Sequence, residues 1–325
     1  MPEAVFFEQC DDSKYCKELV DALTGLSDWQ PLRDSLSQGR QFVHWITSDR
    51  AAGFSQIICQ EGHGAHQPHQ NDSAADFQTV LEKVINPMIR KGEIDDGSRP
   101  GTFDDRKVRW SDTTLKTCIT NDSTTLRLSI GPTSYPHCQN DIHRNPDEAL
   151  KLMLSGLQLH NDPYAYFARG MGVVVIPLTR SGHAFIGKRA NSTDYSNFLC
   201  FVSGWATFSP TIKEIDFYRD GERELQEEIL LVGPIQKETL RCAGLSGHPI
   251  TGEADLVFVM QTDLSDDYFD TGKWPEHACW YGIRSRTEAQ QLLENGIIEG
   301  IQDESSVMFS SRLGLEFLIR THWSS

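Results

Sequence analysis

The residues best equipped for chemistry lie in one short segment, Arg223-Glu224-Leu225-Gln226-Glu227-Glu228. On a helix, Glu224, Glu227 and Glu228 stand at i, i+3 and i+4, so their carboxylates project from one face. Leu225, Ile229 and Val232 mark another face that can pack into a core. Like charges at this spacing repel by about 0.2–0.5 kcal/mol per exposed pair, so something positive is expected there. Arg223, four residues before Glu227, can brace it. A hard divalent cation such as Mg²⁺ can also serve, since it takes oxygen ligands and keeps waters for a substrate phosphate. The alternative is a solvated acidic helix face, the usual meaning of a charge run.

Such a helix needs a sheet to hold it. Residues 172–178 read as a strand, Arg180-Ser181-Gly182 as a turn and 184–188 as the returning strand of a hairpin. A third strand is expected at 198–202, then a long helix over 212–232, strands at 256–261 and 279–283, and a helix at 287–294. That order predicts a mixed sheet with helices packed on it. Upstream, the pattern predicts two short helices in 13–37, strands at 41–47 and 54–59, and a helix over 74–90 stopped by Gly92. A loop is expected at 95–105, strands at 107–110 and 124–130 with Gly131-Pro132 ending the second, and a helix over 146–159. Asn161-Asp162-Pro163 then suggests a boundary between an N-terminal α+β domain, 1–165, and a second domain, 166–325.

In this setting the acidic segment resembles the Nudix hydrolase family. The family signature is a glycine loop, a glutamate, and then Arg-Glu-aliphatic-x-Glu-Glu on a helix, and Arg223 through Glu228 match that second half at every fixed position. The loop departs from the pattern. Gly204-Trp205 stands for the usual pair of glycines, the interval from Gly204 to Arg223 is longer than in the family, and Leu230 replaces the closing glycine. Glu214 is the nearest stand-in for the first glutamate, although Thr211-x-x-Glu214 also spells a capping box. Gly221 falls inside the expected helix and would break it in two. The layout is further similar to the eukaryotic UDP-glucose pyrophosphatase branch, on Gly131-Pro-Thr-Ser-Tyr135, Gly170-Met-Gly-Val-Val and the expanded loop before Arg223-Glu224.

The resemblance implies a Nudix-type α/β/α sandwich with a mixed sheet, preceded by the α+β domain. It implies a metal-dependent hydrolase that cleaves the pyrophosphate bond of a nucleoside diphosphate linked to another moiety, a nucleotide sugar such as UDP-glucose being one candidate. Mg²⁺, or Mn²⁺, would be held by Glu224, Glu228, the Gly204 carbonyl and Glu276, with Glu227 a further ligand or the base. Arg223 would orient the glutamates. Lys188, Arg189 and Tyr135 are the candidates for touching substrate. Two other readings stand beside this one: an ADP-ribose or dinucleoside polyphosphate hydrolase, and a nucleotide-binding sensor or scaffold that keeps the fold without turnover.

Composition narrows the partners. In 325 residues, 46 acids against 30 Lys and Arg give a formal charge of −16. That surplus repels duplex nucleic acid and anionic membrane. Seven of the acids fall between Glu214 and Glu228 against two bases, so the excess concentrates on the candidate helix. The longest apolar run, near 172–178, is far short of the ~20 residues of a membrane helix. The start of the chain lacks the pattern of a signal peptide, so the expected location is the cytoplasm. Eight scattered cysteines without a Cys-x-x-Cys pair are expected to be reduced. His63, His66 and His69, three apart in a polar loop, could hold a transition metal, a mobile loop being the simpler reading. Gly182 to Arg189 nearly spells a phosphate-binding loop but carries Arg189 where Ser or Thr is required, and it reads as strand.

Overall fold

A computed structural model describes residues 6–8, 44–48, 51–66, 106–112, 124–144, 146–160, 162, 164–190, 198–209, 211–231, 239–248, 251–271, 274, 276–295 and 307–323. The helices expected within 13–37 and over 74–90 lie outside them, as does His69.

Among the described residues the strands are β1 (Phe6–Glu8), β2 (His44–Thr47), β3 (Gln56–Glu61), β4 (Arg106–Trp110), β5 (Thr125–Ser134), β6 (Met171–Leu178), β7 (Ala184–Arg189), β8 (Leu199–Cys200), β9 (Val202–Trp205), β10 (Leu240–Gly247), β11 (Ala254–Gln261) and β12 (His277–Ile283). The helices are α1 (Tyr135–His143), α2 (Pro146–His160), α3 (Phe217–Glu228), α4 (Asp267–Thr271), α5 (Arg286–Asn295) and α6 (Phe309–Thr321), with a 3₁₀ turn at Ile212–Glu214. No helix among the described residues is long and apolar enough to cross a membrane.

The expected mixed sheet is present. Its strands run β1-β2-β10-β11-β6-β7-β12, with β6 and β11 parallel and the other pairs antiparallel. β6 and β7 meet only at the hairpin turn, where Leu178 pairs with Ala184. Beyond it they part, and the next segment fills the gap: β9 lines up on β6 from Gly172 to Val175, while β8 lines up on β7 at Gly187 and Lys188. The single strand expected at 198–202 is thus two, broken at Phe201, whose N–H leaves the ladder to donate to Ser311 Oγ at 3.1 Å.

Strand alternation sorts the core into two layers. Val174, Ile176, Leu178, Val257 and Val259 pack under α5 and α6, against Leu292, Phe309, Leu313 and Phe317. Val173, Val175, Leu256 and Phe258 face the other way, against Phe217, Leu225 and Ile229 of α3. Helices therefore cover both faces of one sheet.

A second sheet, β3-β5-β4, packs into the α3-side layer through Val108, Trp110, Leu126, Leu128 and Ile130. β4 also reaches the segment leaving β9: Val108 N–H donates to Ala206 O at 3.1 Å, and Phe208 N–H donates to Arg106 O at 2.9 Å. β5 runs on through Gly131-Pro132, where the sequence suggested a stop. Pro132 lies beyond the stretch paired with β3, so its missing N–H costs no ladder bond on that side.

Candidate active site

α3 begins later than the sequence pattern suggests. The capping box fails: Thr211 makes no side-chain cap, and Glu214 is exposed in the 3₁₀ turn. Asp216 caps α3 instead, its carboxylate accepting from Tyr218 N–H at 3.1 Å. Gly221 does not break the helix. A Cβ there would come 3.1 Å from Val175 Cγ2, so its bareness lets α3 settle on β6. Just past the end of the helix Leu230 adopts φ 52°, the left-handed region that a glycine takes without strain.

The three glutamates do not share one environment. Glu224 and Glu228, one turn apart, are buried on the sheet side, and Glu227 is exposed. Glu224 lies flat over Gly204: a Cβ at that position would fall 2.2 Å from the carboxyl carbon. Burial lifts the Glu224 carboxyl to about 7, opposed by the Arg223 guanidinium and reinforced by the charges of Glu227, Glu276 and Asp220. Glu228 is 2 % exposed. One of its oxygens, Oε1, accepts from Ser203 N–H at 3.3 Å, and the other, Oε2, has no hydrogen-bond partner. Burial pushes its carboxyl well above the usual range.

Two arginines face this pair. Arg223 does not brace Glu227: its Nη2 lies 2.7 Å from Glu224 Oε1 and donates to Trp205 O at 3.0 Å, tying helix to glycine loop. Arg189, at the end of β7, sets Nη2 3.2 Å from Glu276 Oε2 and Nη1 4.0 Å from Glu228 Oε1. Its Nη1 also donates to Ser203 Oγ at 3.5 Å. Lys188, by contrast, falls on the opposite face, paired across strands with Leu199 of the α5/α6 layer. Tyr135 opens α1, half-buried.

Two contributors were missed at the sequence level. His277 is buried beside Glu228, its Nδ1 3.7 Å from Oε2, and its ring lies tilted against Trp280 with centroids 4.4 Å apart. Burial, then the charge of Arg189, lowers its pKa to about 3, so it is neutral at ordinary pH. Asp220 is lifted to about 6 by burial and sits 3.5 Å from Arg223. Neither has a spacing that marks it in the sequence; His277 is found only through the pairing of β12 with β7.

The loop histidines form a different group. The His66 ring stacks on His160 with centroids 3.9 Å apart, and His63 lies 5.1 Å from His66. Among the described residues no three His, Cys, Asp or Glu side chains are already gathered around a metal position.

No family model matches the chain, and no curated protein matches it. Among solved structures it is similar to a bifunctional NMN adenylyltransferase/ADP ribose pyrophosphatase from Francisella tularensis, complexed with AMP and a Mn ion, at 11% identity and TM-score 0.33. That alignment covers 56% of this chain and 48% of the other, so the chain spans about half the length of that enzyme. It is similar to the Bacillus subtilis pyrophosphohydrolase BsRppH at 12% identity and TM-score 0.29, over 48% of this chain and 85% of that one. It is also similar to the MutT protein of Methanosarcina mazei at 11% identity and TM-score 0.26, over 45% and 94% of the two chains.

Proposed function

We propose that this protein is a Nudix-type, divalent-cation-dependent hydrolase acting on the pyrophosphate bond of a nucleoside diphosphate linked to another moiety, a nucleotide sugar being one candidate. The observation that carries the reading is the pair Glu224 and Glu228, one helical turn apart, buried, and pressed against the Gly204 loop. Two carboxylates held this close in a dry setting are costly unless a cation compensates them.

The donor set suits a hard cation. It is all oxygen, Glu228 Oε2 is buried without a partner, and the Glu224 carboxylate lies on the glycine backbone whose carbonyl is a further oxygen. Glu224, Glu228 and the Gly204 carbonyl would hold Mg²⁺ or Mn²⁺, with Glu276 joining from the start of β12. When bound, the ion would neutralise charge on the phosphate oxygens and lower the pKa of a water.

The chain's own residues then divide the work. Arg223 fixes Glu224 through its simultaneous bond to the Trp205 carbonyl. Glu227, exposed on the same helix, is the carboxylate free to take a proton from the attacking water. Arg189 is the cation in reach of a phosphate, a role that Lys188 on the opposite face does not share.

The test is a panel of nucleotide sugars, ADP-ribose and dinucleoside polyphosphates, with phosphate release measured after phosphatase coupling in Mg²⁺ and in Mn²⁺, beside Glu228→Gln. Metal-dependent release abolished by Glu228→Gln supports the reading. Tight nucleotide binding indifferent to chelator, with no release from any substrate, would instead favour the sensor.

A further inference from the structure

The two buried glutamates are compensated unequally. Arg223 meets Glu224 at 2.7 Å and is anchored by the Trp205 carbonyl, a short, fixed contact. Arg189 stands off Glu228 at 4.0 Å, beyond hydrogen-bonding range, and leans on Glu276 at 3.2 Å through a single nitrogen. Neither ion pair of Arg189 is a two-point fork of the kind that locks a guanidinium to a carboxylate, and its Nη1 also donates to Ser203 Oγ at 3.5 Å. Glu228 keeps an oxygen without a partner, and Glu276, the firmer of the two anchors, is 44% exposed in its side chain. A divalent cation entering between Glu228 and Glu276 would meet the positive charge already there.

We propose that Arg189 is the resident countercation of the Glu228–Glu276 gap and an alternative occupant to the divalent ion. Without the ion, Arg189 neutralises the two carboxylates. With it, the guanidinium is displaced from Glu228 and Glu276 toward the solvent side, where a phosphate would be received. The inference rests on the proposed cation site and adds that the site is filled from within until the ion arrives. It also accounts for an arginine directed into a carboxylate cluster from a backbone held on both sides, by Phe198 O and by the pairing with His277, so that only the side chain has to move.

Electron paramagnetic resonance of Mn²⁺ with the full chain, titrated into wild type, Arg189→Gln, Arg189→Lys and Glu228→Gln, tests it. Removing a positive charge next to the ion should tighten Mn²⁺ binding about tenfold in Arg189→Gln. Arg189→Lys should stay near wild type, and Glu228→Gln should bind far more weakly. On wild type itself, the Arg189 Nε–H resonance, assigned with Arg189→Lys, should shift as Mg²⁺ is added, a readout independent of how well the Gln variant folds. Unchanged or weaker Mn²⁺ binding in Arg189→Gln, or an Arg189 resonance indifferent to saturating Mg²⁺, overturns the proposal and leaves Arg189 a fixed brace. Absence of Mn²⁺ binding in wild type overturns the cation site itself, and the exchange with it.

Discussion

Glu224 and Gly204 are fitted to each other: the carboxylate occupies the space a side chain at 204 would need, 2.2 Å from where its Cβ would stand. The glycine loop and the acidic helix, separate halves of the sequence signature, are one steric unit. Gly204→Ala should therefore push Glu224 aside without unfolding the sheet. The expected outcome is a loss of activity and of Mn²⁺ affinity of at least about tenfold, the scale seen when a ligand's support is removed. Near-native circular dichroism with lost metal binding is the signature; unchanged Mn²⁺ affinity would separate the two residues functionally.

Glu224→Gln and Glu228→Gln should each reduce metal-dependent turnover by about 100-fold or more, because each removes a charged oxygen from a buried pair. Glu227→Gln, altering an exposed carboxylate, should reduce kcat while leaving Mn²⁺ binding within a factor of about two. Steady-state kinetics paired with Mn²⁺ titration distinguishes the two classes, and loss of metal binding in Glu227→Gln would move that residue into the ligand set.

Asp220 makes stability depend on pH. Its carboxyl is lifted from 3.8 to about 6 by burial, so between those values the native state holds a proton that the unfolded chain has released. Stability from this group is present at low pH and falls as pH rises from about 4 to 6. Asp220→Asn has no such pH dependence at this position. The difference in unfolding free energy between the variant and wild type, from urea denaturation, should grow in the variant's favour across that window and level off above it. A constant difference would refute the assignment.

Leu230→Gly should stabilise the protein by about 1 kcal/mol. Leu230 is held at φ 52° and is 52% exposed, so the substitution relieves a left-handed conformation while giving up little buried surface. Denaturant midpoints of the two proteins measure it, and a lower midpoint for the variant would show that the leucine side chain contributes more than its backbone costs.

The helix of glutamates was legible because its spacing is short-range, and the mixed sheet because its strands carry long apolar runs. What the sequence hid was set by pairing at a distance. The splitting of the 198–202 strand depends on Ser311, over a hundred positions away, taking the Phe201 N–H. The burial of Glu224 and Glu228 but not Glu227 depends on which side of α3 meets β9. β10 and α6 were not anticipated, since glycines interrupt the apolar pattern of Leu240–Gly247 and α6 is buried nearly all round, leaving no polar face to mark a period. Arg189 could be seen as a basic residue near a phosphate site; its partnership with Glu276 needed the β7–β12 register.

The bonds from β4 to the segment after Gly204, Val108 to Ala206 and Arg106 to Phe208, join positions roughly a hundred residues apart in the chain. A contact of that span closes a much longer loop than a local hairpin such as β6–β7, so the hairpin is expected to form first. The glycine loop should thus acquire its final shape after that hairpin. During synthesis β4 can pair with β5, the next strand to emerge, but its other edge waits uncovered until the segment after Gly204 has been made. In the cell, that interval is when this protein would most need shielding from its neighbours.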